Sequence, residues 1–486
     1  MSEDSALRSR SSKKGDINQN GHLQNKNEKK KWVDMSFLPR ESPLTVLLST
    51  SLHIRAIYHI FIAILIILMM DTFMYDFVEF GKIKLGVYPV IYGFGDIGRC
   101  GRLWLFELAL ALAFYPGLRV YGLGARVLRK HTAPAPPRRP PSPRVLSAAW
   151  STLGAAALAA LLGALLGVPS WDLGRRHLAL ASGCIVTLEM IRFAMKIYAV
   201  TVACVPRCHA AGGTPLPSFR HYLYFLFAPT LLYRDKYPRT EKTRWGVVAL
   251  HLLEVVAIIF YNSFLWERFI LPYWSDYGKE PQVQLGRVVQ AMFACVLPSI
   301  ISFLCGFYCV LHAWLNAFAE MLTFADRLFY EEWWTMSEYS KYYRAWNRVV
   351  YAWLRDHIYI PLVPRAGRSL ATLSVFLISA VFHELVLALS FGFFYPVLLV
   401  MFGVFGLLCV PLTATCGRLF PGVFNLVMWL TLMVGNGLLW SLYPMEYFAR
   451  KNCPASPGDS FFVPKSWSCP EIVMKSNWTF NNPFTF

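Results

Sequence analysis

Residues 370–392 read LATLSVFLISAVFHELVLALSFG, an almost unbroken apolar run with one histidine, His383, inside it. A helix needs about 20 consecutive apolar residues to cross the hydrocarbon core of a bilayer, so this stretch predicts a membrane-spanning helix. An ionisable group inside a span is costly and marks a functional site by default. The stretch therefore predicts a helical membrane protein and a functional site at His383.

Similar apolar runs occupy most of the chain. They are 54–75, 103–122, 147–168, 178–203, 246–270, 288–311, 370–392, 395–413 and 422–443. The sequence thus predicts an all-α, polytopic membrane protein with about nine transmembrane helices that enclose an intramembrane reaction chamber, and with amphipathic cytosolic helices. We expect a disordered basic cytosolic tail (1–45), a membrane domain (46–450) and a lumenal C-terminal tail (451–486).

The charge distribution predicts orientation and the kind of partner. The formal net charge is +18, although only 16% of the residues are charged and 56% are hydrophobic. Lys and Arg concentrate in the leading tail and in the loops 124–146, 206–245 and 312–369. Basic loops are cytosolic, so we expect a cytosolic N-terminus and, with an odd number of spans, a lumenal C-terminus. A lipid bilayer is the expected partner, and nucleic acid is not.

The loop 312–369 carries a helical pattern of its own. Aromatic and apolar residues recur at helical spacing from Tyr339 to Trp353, and basic residues lie on the opposite face. The spacing predicts one amphipathic helix lying at the cytosolic membrane surface. Asn347 shares a face with Tyr343 and Tyr351 in that helix, where its amide could orient a substrate or donate to a developing oxyanion.

His383 has two interpretations from composition alone. A neutral imidazole in the membrane is a competent general base, whereas the alternative is a structural histidine hydrogen-bonded between helices. Ser379 lies four residues earlier, on the same helical face. The sequence has no Gly-x-Ser-x-Gly elbow, phosphate-binding loop, HExxH or Cys/His metal spacing, so serine, nucleotide and metal chemistry lack support. No metal and no cofactor are expected.

Several motifs resemble the sterol O-acyltransferases of the membrane-bound O-acyltransferase family. FYEEWW at 329–334 is similar to the FYxDWWN motif of those enzymes. The other similar stretches are YLYFLFAPTLLYRD at 222–235, HAWLNAFAEML at 312–322, YSKYYRAWN at 339–347 and SAVFHE at 379–384. They follow one another in the family's order and extend the resemblance over most of the chain.

The resemblance implies transfer of a long-chain acyl group from acyl-CoA to a sterol hydroxyl, such as that of cholesterol, in the endoplasmic reticulum membrane. It implies that His383 is the catalytic base, that Asn347 is its essential partner and that Trp346 shapes the site. The residues that it places against acyl-CoA are Arg344, Tyr359 and Ser379. Acyl-CoA is then a substrate rather than a cofactor, and a homo-oligomer, a dimer or tetramer, is expected.

The C-terminal tail contains Cys453 and Cys469 among polar and proline residues. A lumenal compartment permits disulfides, and the resemblance implies a bridge between these two cysteines.

Departures from the motif leave alternatives open. Glu332 stands where the FYxDWWN motif has Asp, and Thr335 stands where it has Asn. A hydroxyl does not offer the paired donor and acceptor of an amide. Diacylglycerol or a long-chain alcohol is the alternative acceptor. From a different class of protein, the alternative is a proton-coupled transporter, although the sequence shows no internal repeat.

Overall fold

Apolar runs fold as helices because a chain in a bilayer must satisfy its own backbone hydrogen bonds. The computed structural model describes residues 36–83, 87–132, 142–210 and 216–474, and every structural statement below concerns these residues. Eight of their helical stretches are long and apolar enough to cross a membrane. The predicted all-α, polytopic architecture is confirmed.

The first half of the chain consists of helices. They are α1 (Pro43–Thr50), α2 (Leu52–Phe80), α3 (Val87–Phe94), α4 (Ile97–Thr132), α5 (Ser142–Arg175), α6 (Leu180–His209), α7 (Phe219–Phe227), α8 (Trp245–Leu265) and α9 (Leu271–Trp274). A π-helical segment, Trp266–Ile270, joins α8 to α9.

The second half adds the elements that carry the candidate site. Its helices are α10 (Leu285–Ala294), α11 (Val296–Phe307), α12 (Leu315–Met321), α13 (Tyr339–Trp346), α14 (Arg348–Leu354), α15 (Ile360–Phe391), α16 (Val397–Val400), α17 (Gly406–Leu419) and α18 (Pro421–Asn452). Three further π-helical segments are Tyr308–Trp314, Arg355–Tyr359 and Met401–Phe405, and two short 3₁₀ turns are Trp333–Thr335 and Lys465–Trp467. The strands β1 (Gln282–Gln284) and β2 (Glu471–Val473) pair in parallel.

The eight stretches are close to the predicted number of about nine spans, and one predicted span has no counterpart among them. The predicted span 178–203 forms the long helix α6, but α6 is not among the eight membrane-crossing stretches. Its middle carries Glu189, Arg192 and Lys196. These charges are satisfied inside the protein, since Arg192 bonds the carboxylate of Glu189 and Lys196 donates to two backbone carbonyls near the end of α7. The charged middle of α6 is therefore satisfied within the fold, although the apolar side chains of Ile185, Leu188 and Val202 on the same helix are exposed.

Helices α4, α5, α6 and α7 share the largest buried cluster. Helices α4 and α15 both pack against α6. By contrast, the apolar side chains of α2 are mostly exposed, as expected for a lipid-facing helix. The helix that carries His383 therefore stands against the interior of the protein.

The predicted amphipathic helix is broken, and this corrects the prediction. Helices α13 and α14 are separated at Asn347, whose backbone is extended. Its side-chain Oδ1 accepts a hydrogen bond from the backbone N–H of Val350 at 3.1 Å. An asparagine that caps a helix start competes with continuation of the preceding helix. The face that Asn347 was predicted to share with Tyr343 and Tyr351 therefore does not exist.

The aromatic side of α13 also differs from the prediction of a helix lying on the membrane surface. Tyr339, Tyr342 and Ala345 are buried in a cluster that includes Trp333. The aromatic residues therefore pack on the protein. The basic residues Lys341 and Arg344 remain exposed.

Part of the predicted tail, residues 36–45, lies within the described residues. Residues 1–35 of the predicted tail lie outside the described residues, but the chain from Phe37 onward belongs to one compact unit. Arg40 forms a two-bonded ion pair with Asp326, at 3.1 and 2.7 Å. At the other end, Cys453 and Cys469 are joined in a disulfide. Residues 475–486 of the predicted C-terminal tail lie outside the described residues.

Candidate active site

Helix α15 presents His383 from an apolar scaffold. The helix is interrupted at Gly367, where φ is +79°, and it ends at Gly392, where φ is +78°. Glycine adopts these left-handed conformations without steric cost. The segment between the two glycines matches the predicted span 370–392.

The hydrogen bond at Nδ1 defines the protonation of the His383 ring. Nδ1 lies 2.7 Å from the backbone carbonyl oxygen of Ser379 and 3.4 Å from its Oγ. A carbonyl oxygen accepts and does not donate, so Nδ1 carries the proton in the neutral ring. Nε2 is then left with its lone pair, and this nitrogen is the one that can take a proton from a substrate.

His383 is surrounded by protein and yet accessible. Protein atoms lie densely around its ring, although the residue itself is exposed. A residue on the outer, lipid-facing surface would lack the surrounding atoms, and a packed core residue would lack the accessible area. We expect a small reactant to reach the ring from its accessible side.

Glu384, the next residue, fixes the helix in place. Its carboxylate accepts hydrogen bonds from Tyr443 Oη, at 2.9 and 3.1 Å, and from the backbone N–H of Leu399, at 2.9 Å. Both Glu384 and Tyr443 are buried. These bonds tie α15 to α16 and α18, so that the histidine beside Glu384 is held on a helix with two external attachments.

An aromatic wall stands beside His383. The ring of Phe402 lies 5.4 Å from the imidazole, centroid to centroid, and 5.2 Å from the ring of Tyr343. Phe376 completes the wall at 5.0 Å from Tyr343. Because Tyr343 belongs to α13, these contacts connect the helix of His383 to the segment that ends at Asn347.

Asn347 and Trp346 lie at the junction of α13 and α14. The cap uses Oδ1 of Asn347, so its Nδ2 protons are the donors that a substrate could meet. Trp346 stacks on Phe303 with ring centroids 4.7 Å apart and contacts Trp333 at 4.9 Å. Trp346 thus anchors the junction in the aromatic cluster.

The FYEEWW segment supports the same junction. The backbone N–H of Arg348 donates to the carbonyl of Phe329, and that of Glu331 donates to the carbonyl of Ala345. The Thr335 hydroxyl donates to the carbonyl of Glu332 at 2.8 Å. Thr335, which stands where the motif has Asn, therefore closes its own 3₁₀ turn.

The remaining predicted residues are placed as follows. Ser379 lies against His383 through the contacts described above. Arg344 is exposed on α13, where its Nε donates to the carbonyl of Ser340. Tyr359 is half-buried at the end of a π-helical segment, two turns before the break at Gly367. The roles of these three residues toward acyl-CoA stay predictions.

Two other polar residues of the loop 312–369 have structural surroundings. Asn316 donates to the carbonyl of His312. Glu320 is buried and pairs with Arg244 and Arg327. These bonds satisfy both side chains within the fold. Within the described ranges, no three His, Cys, Asp or Glu side chains gather as a metal site would require.

One carboxylate at the start of α13 has a perturbed pKa. Glu338 lies 2.6 Å from Lys341 and 3.3 Å from Arg418. The hydrogen bond from Lys341 is the main cause that holds the pKa of Glu338 below its usual value, and Arg418 acts in the same direction. The start of α13 is thereby tied to the end of α17.

Sequence reasoning missed three contributors to this site. Phe402 and Tyr443 lie in other apolar runs, where an aromatic residue carries no distinguishing signal. Glu384 lies next to His383 in the same apolar run, and a carboxylate inside such a run is itself a signal that could have found it.

Similarity to known proteins identifies the family of this chain. Residues 178–444 match the model of MBOAT, the membrane-bound O-acyltransferase family. The chain belongs to this family. It is similar to sterol O-acyltransferase 2 of Homo sapiens (36% identical over 446 residues, 89% of this chain and 80% of the relative). It is also similar to sterol O-acyltransferase 2 of Rattus norvegicus (37% over 447 residues, 89% and 80%) and sterol O-acyltransferase 1 of Mus musculus (36% over 445 residues, 89% and 79%).

Proposed function

We propose that this protein transfers a long-chain fatty acyl group from acyl-CoA to the hydroxyl of a sterol such as cholesterol, and releases a steryl ester and free CoA. The similarity to sterol O-acyltransferases over most of the chain supports the acceptor. The observation that carries the chemistry is the Nδ1 bond of His383, which leaves Nε2 free to act as a base inside an apolar helix.

The proposed reaction proceeds in two steps. Nε2 of His383 removes the sterol hydroxyl proton while the oxygen attacks the thioester carbonyl carbon. Asn347 donates to the oxyanion through Nδ2, and Trp346 shapes the space beside it. The C–S bond then breaks, and the imidazolium returns its proton to the thiolate of CoA. Atoms and charge balance without a metal or a cofactor.

We further propose that Arg344, Tyr359 and Ser379 hold the acyl-CoA. Arg344 is exposed and cationic, which suits phosphates at the water side. Ser379 lies next to the base, which suits the reacting end of the thioester. The long acyl chain would extend among the apolar helices, and the sterol would enter from the bilayer.

The proposed location is the endoplasmic reticulum membrane, with a cytosolic N-terminus and a lumenal C-terminus. The basic loops support this orientation. The disulfide between Cys453 and Cys469 supports an oxidising compartment for the C-terminal tail. A homo-oligomer, a dimer or tetramer, is proposed from the family resemblance alone.

The test uses purified full-length protein in nanodiscs with radiolabelled oleoyl-CoA and one acceptor at a time: cholesterol, diacylglycerol or a long-chain alcohol. We expect ester formation and thiol release with cholesterol, and neither in the His383→Ala variant. Preferred esterification of diacylglycerol would overturn the sterol assignment and keep the acyl-transfer mechanism. Full activity of the His383→Ala variant would overturn the mechanism.

A further inference from the structure

The segment between the disulfide cysteines exposes large apolar side chains. Phe462, Val463 and Trp467 are 71%, 55% and 70% exposed. They belong to a tail that follows the last membrane-crossing helix, so crossing the membrane does not account for their exposure. A group of exposed apolar residues on a non-spanning segment marks an interaction surface.

The segment is held rigidly in this conformation. The buried carboxylate of Glu446 accepts hydrogen bonds from the backbone N–H groups of Lys465 and Ser466, both at 2.8 Å. Arg450 donates to the carbonyls of Ser460 and Val463, at 3.1 and 2.8 Å. With the disulfide, these bonds fix the direction in which the three apolar side chains point.

The position of the segment identifies its surroundings. The backbone N–H of Phe394 donates to the carbonyl of Phe461 at 2.9 Å. The ring of Phe462 lies 6.1 Å from that of Phe394, and the ring of Trp467 lies 6.5 Å from that of Tyr395. Phe394 and Tyr395 directly follow α15, and the segment itself follows α18. It therefore lies where two membrane-crossing stretches end on the same side.

We propose that Phe462, Val463 and Trp467 form a membrane-interface anchor that inserts into the lipid leaflet in which α15 and α18 end. Tryptophan and phenylalanine partition to the boundary between headgroups and acyl chains. The neighbouring surface continues this character, since Tyr447 on α18 is exposed and the basic side chain of Lys451 is exposed one turn further on. A lysine at this level suits lipid phosphates.

The anchor acts on the helix that carries His383. The bond between Phe394 and Phe461 attaches the segment just beyond the end of α15, about three helical turns after His383. A segment seated in the leaflet would hold that end at a constant depth. The anchor does not depend on which acceptor the enzyme uses.

The test places the fluorescent amino acid acridonylalanine at position 462 or 467 of the full-length protein in phosphatidylcholine nanodiscs. The matched control carries it at Ser456, which is exposed in the same disulfide loop, six residues before Phe462. Fluorescence is measured with doxyl-labelled phosphatidylcholine as the lipid-phase quencher and with iodide as the aqueous quencher.

We expect positions 462 and 467 to lose fluorescence with the doxyl lipid and to be protected from iodide, and position 456 to show the reverse. Equal quenching by iodide at all three positions would overturn the anchor, because the surface would then face water. Protection of 462 and 467 from both quenchers would also overturn it, because a second copy or another protein would then cover the surface.

Discussion

Substitution of Tyr443 by phenylalanine tests how α15 is held. The single hydroxyl proton of Tyr443 is shared between the two carboxylate oxygens of the buried Glu384, and the substitution removes this donor while backbone donors such as the Leu399 N–H remain. A hydrogen bond to a charged group contributes about 1.5 to 3 kcal/mol. We expect the folded protein to lose about this much stability, because the ring volume is kept and the carboxylate stays buried.

The same substitution should also lower the rate of acyl transfer, because Glu384 is next to His383 and helps to position it. Since about 1.4 kcal/mol of barrier corresponds to tenfold in rate, a partial loss of positioning predicts a kcat lowered by up to about tenfold, with an unchanged KM for acyl-CoA. Thermal unfolding in nanodiscs and initial-rate kinetics measure the two effects. Tyr447→Phe, on the exposed side of the same helix, is the matched control. If the two variants are indistinguishable in both measurements, the attachment of α15 through Glu384 is refuted.

Three further substitutions probe the site and its support. His383→Ala should lower kcat by about 10² to 10⁴-fold, whereas Ser379→Ala should lower it by less than about tenfold, because the short bond to Nδ1 uses the Ser379 carbonyl. The lowered pKa of Glu338 predicts that its ion pairs stabilise the protein above the usual carboxyl range and lose that effect as pH falls through the lowered pKa. Thermal scans should therefore show a larger deficit for Glu338→Gln at pH 7 than at pH 4. Gly406→Ala would place a methyl carbon 2.5 Å from the Tyr343 hydroxyl, and overpacking of this kind costs about 1 to 3 kcal/mol, measured as a lower Tm and a lower kcat.

Controls separate these outcomes from general damage. Gly422→Ala adds a methyl group where the structure has open space, so its Tm and kcat should match the wild type. A Gly406→Ala variant as active as Gly422→Ala would show that Tyr343 is free to move. A pH-independent deficit in Glu338→Gln would mean that its carboxylate charge is not what stabilises α13. A Ser379→Ala variant with a kcat as low as that of His383→Ala would assign the serine hydroxyl a direct part in the reaction.

The membrane architecture was predictable because hydrophobic length is a local property. The length of each apolar run predicts by itself whether the run can span the bilayer. The run 370–392, for example, coincides with the part of α15 between Gly367 and Gly392. Helix α6 shows where this reasoning stops. Its charges are satisfied by partners in the adjacent α7 region and within α6, and such pairing is invisible in a hydropathy pattern.

Parts of the candidate site could not be predicted, because they depend on contacts between residues far apart in the sequence. The spacing of apolar residues does not indicate such contacts. The helical pattern from Tyr339 to Trp353 continues through Asn347, yet the asparagine caps a new helix there and breaks the predicted face. Glu384 and Tyr443 are 59 residues apart and become partners only through the packing of α15 on α18. His383 itself was identifiable because a charged or polar group in an apolar run is rare enough to stand out.

The pairing of Arg40 with Asp326 has a practical consequence for where the protein can be shortened. Asp326 is buried, and it accepts hydrogen bonds from the Leu38 N–H and from the guanidinium of Arg40. Cutting the chain at the first hydrophobic helix would remove both donors and leave this buried carboxylate, close to the FYEEWW segment, with the longer bond from the Leu328 N–H at 3.4 Å. A truncation intended to remove the leading polar residues should therefore stop before Phe37.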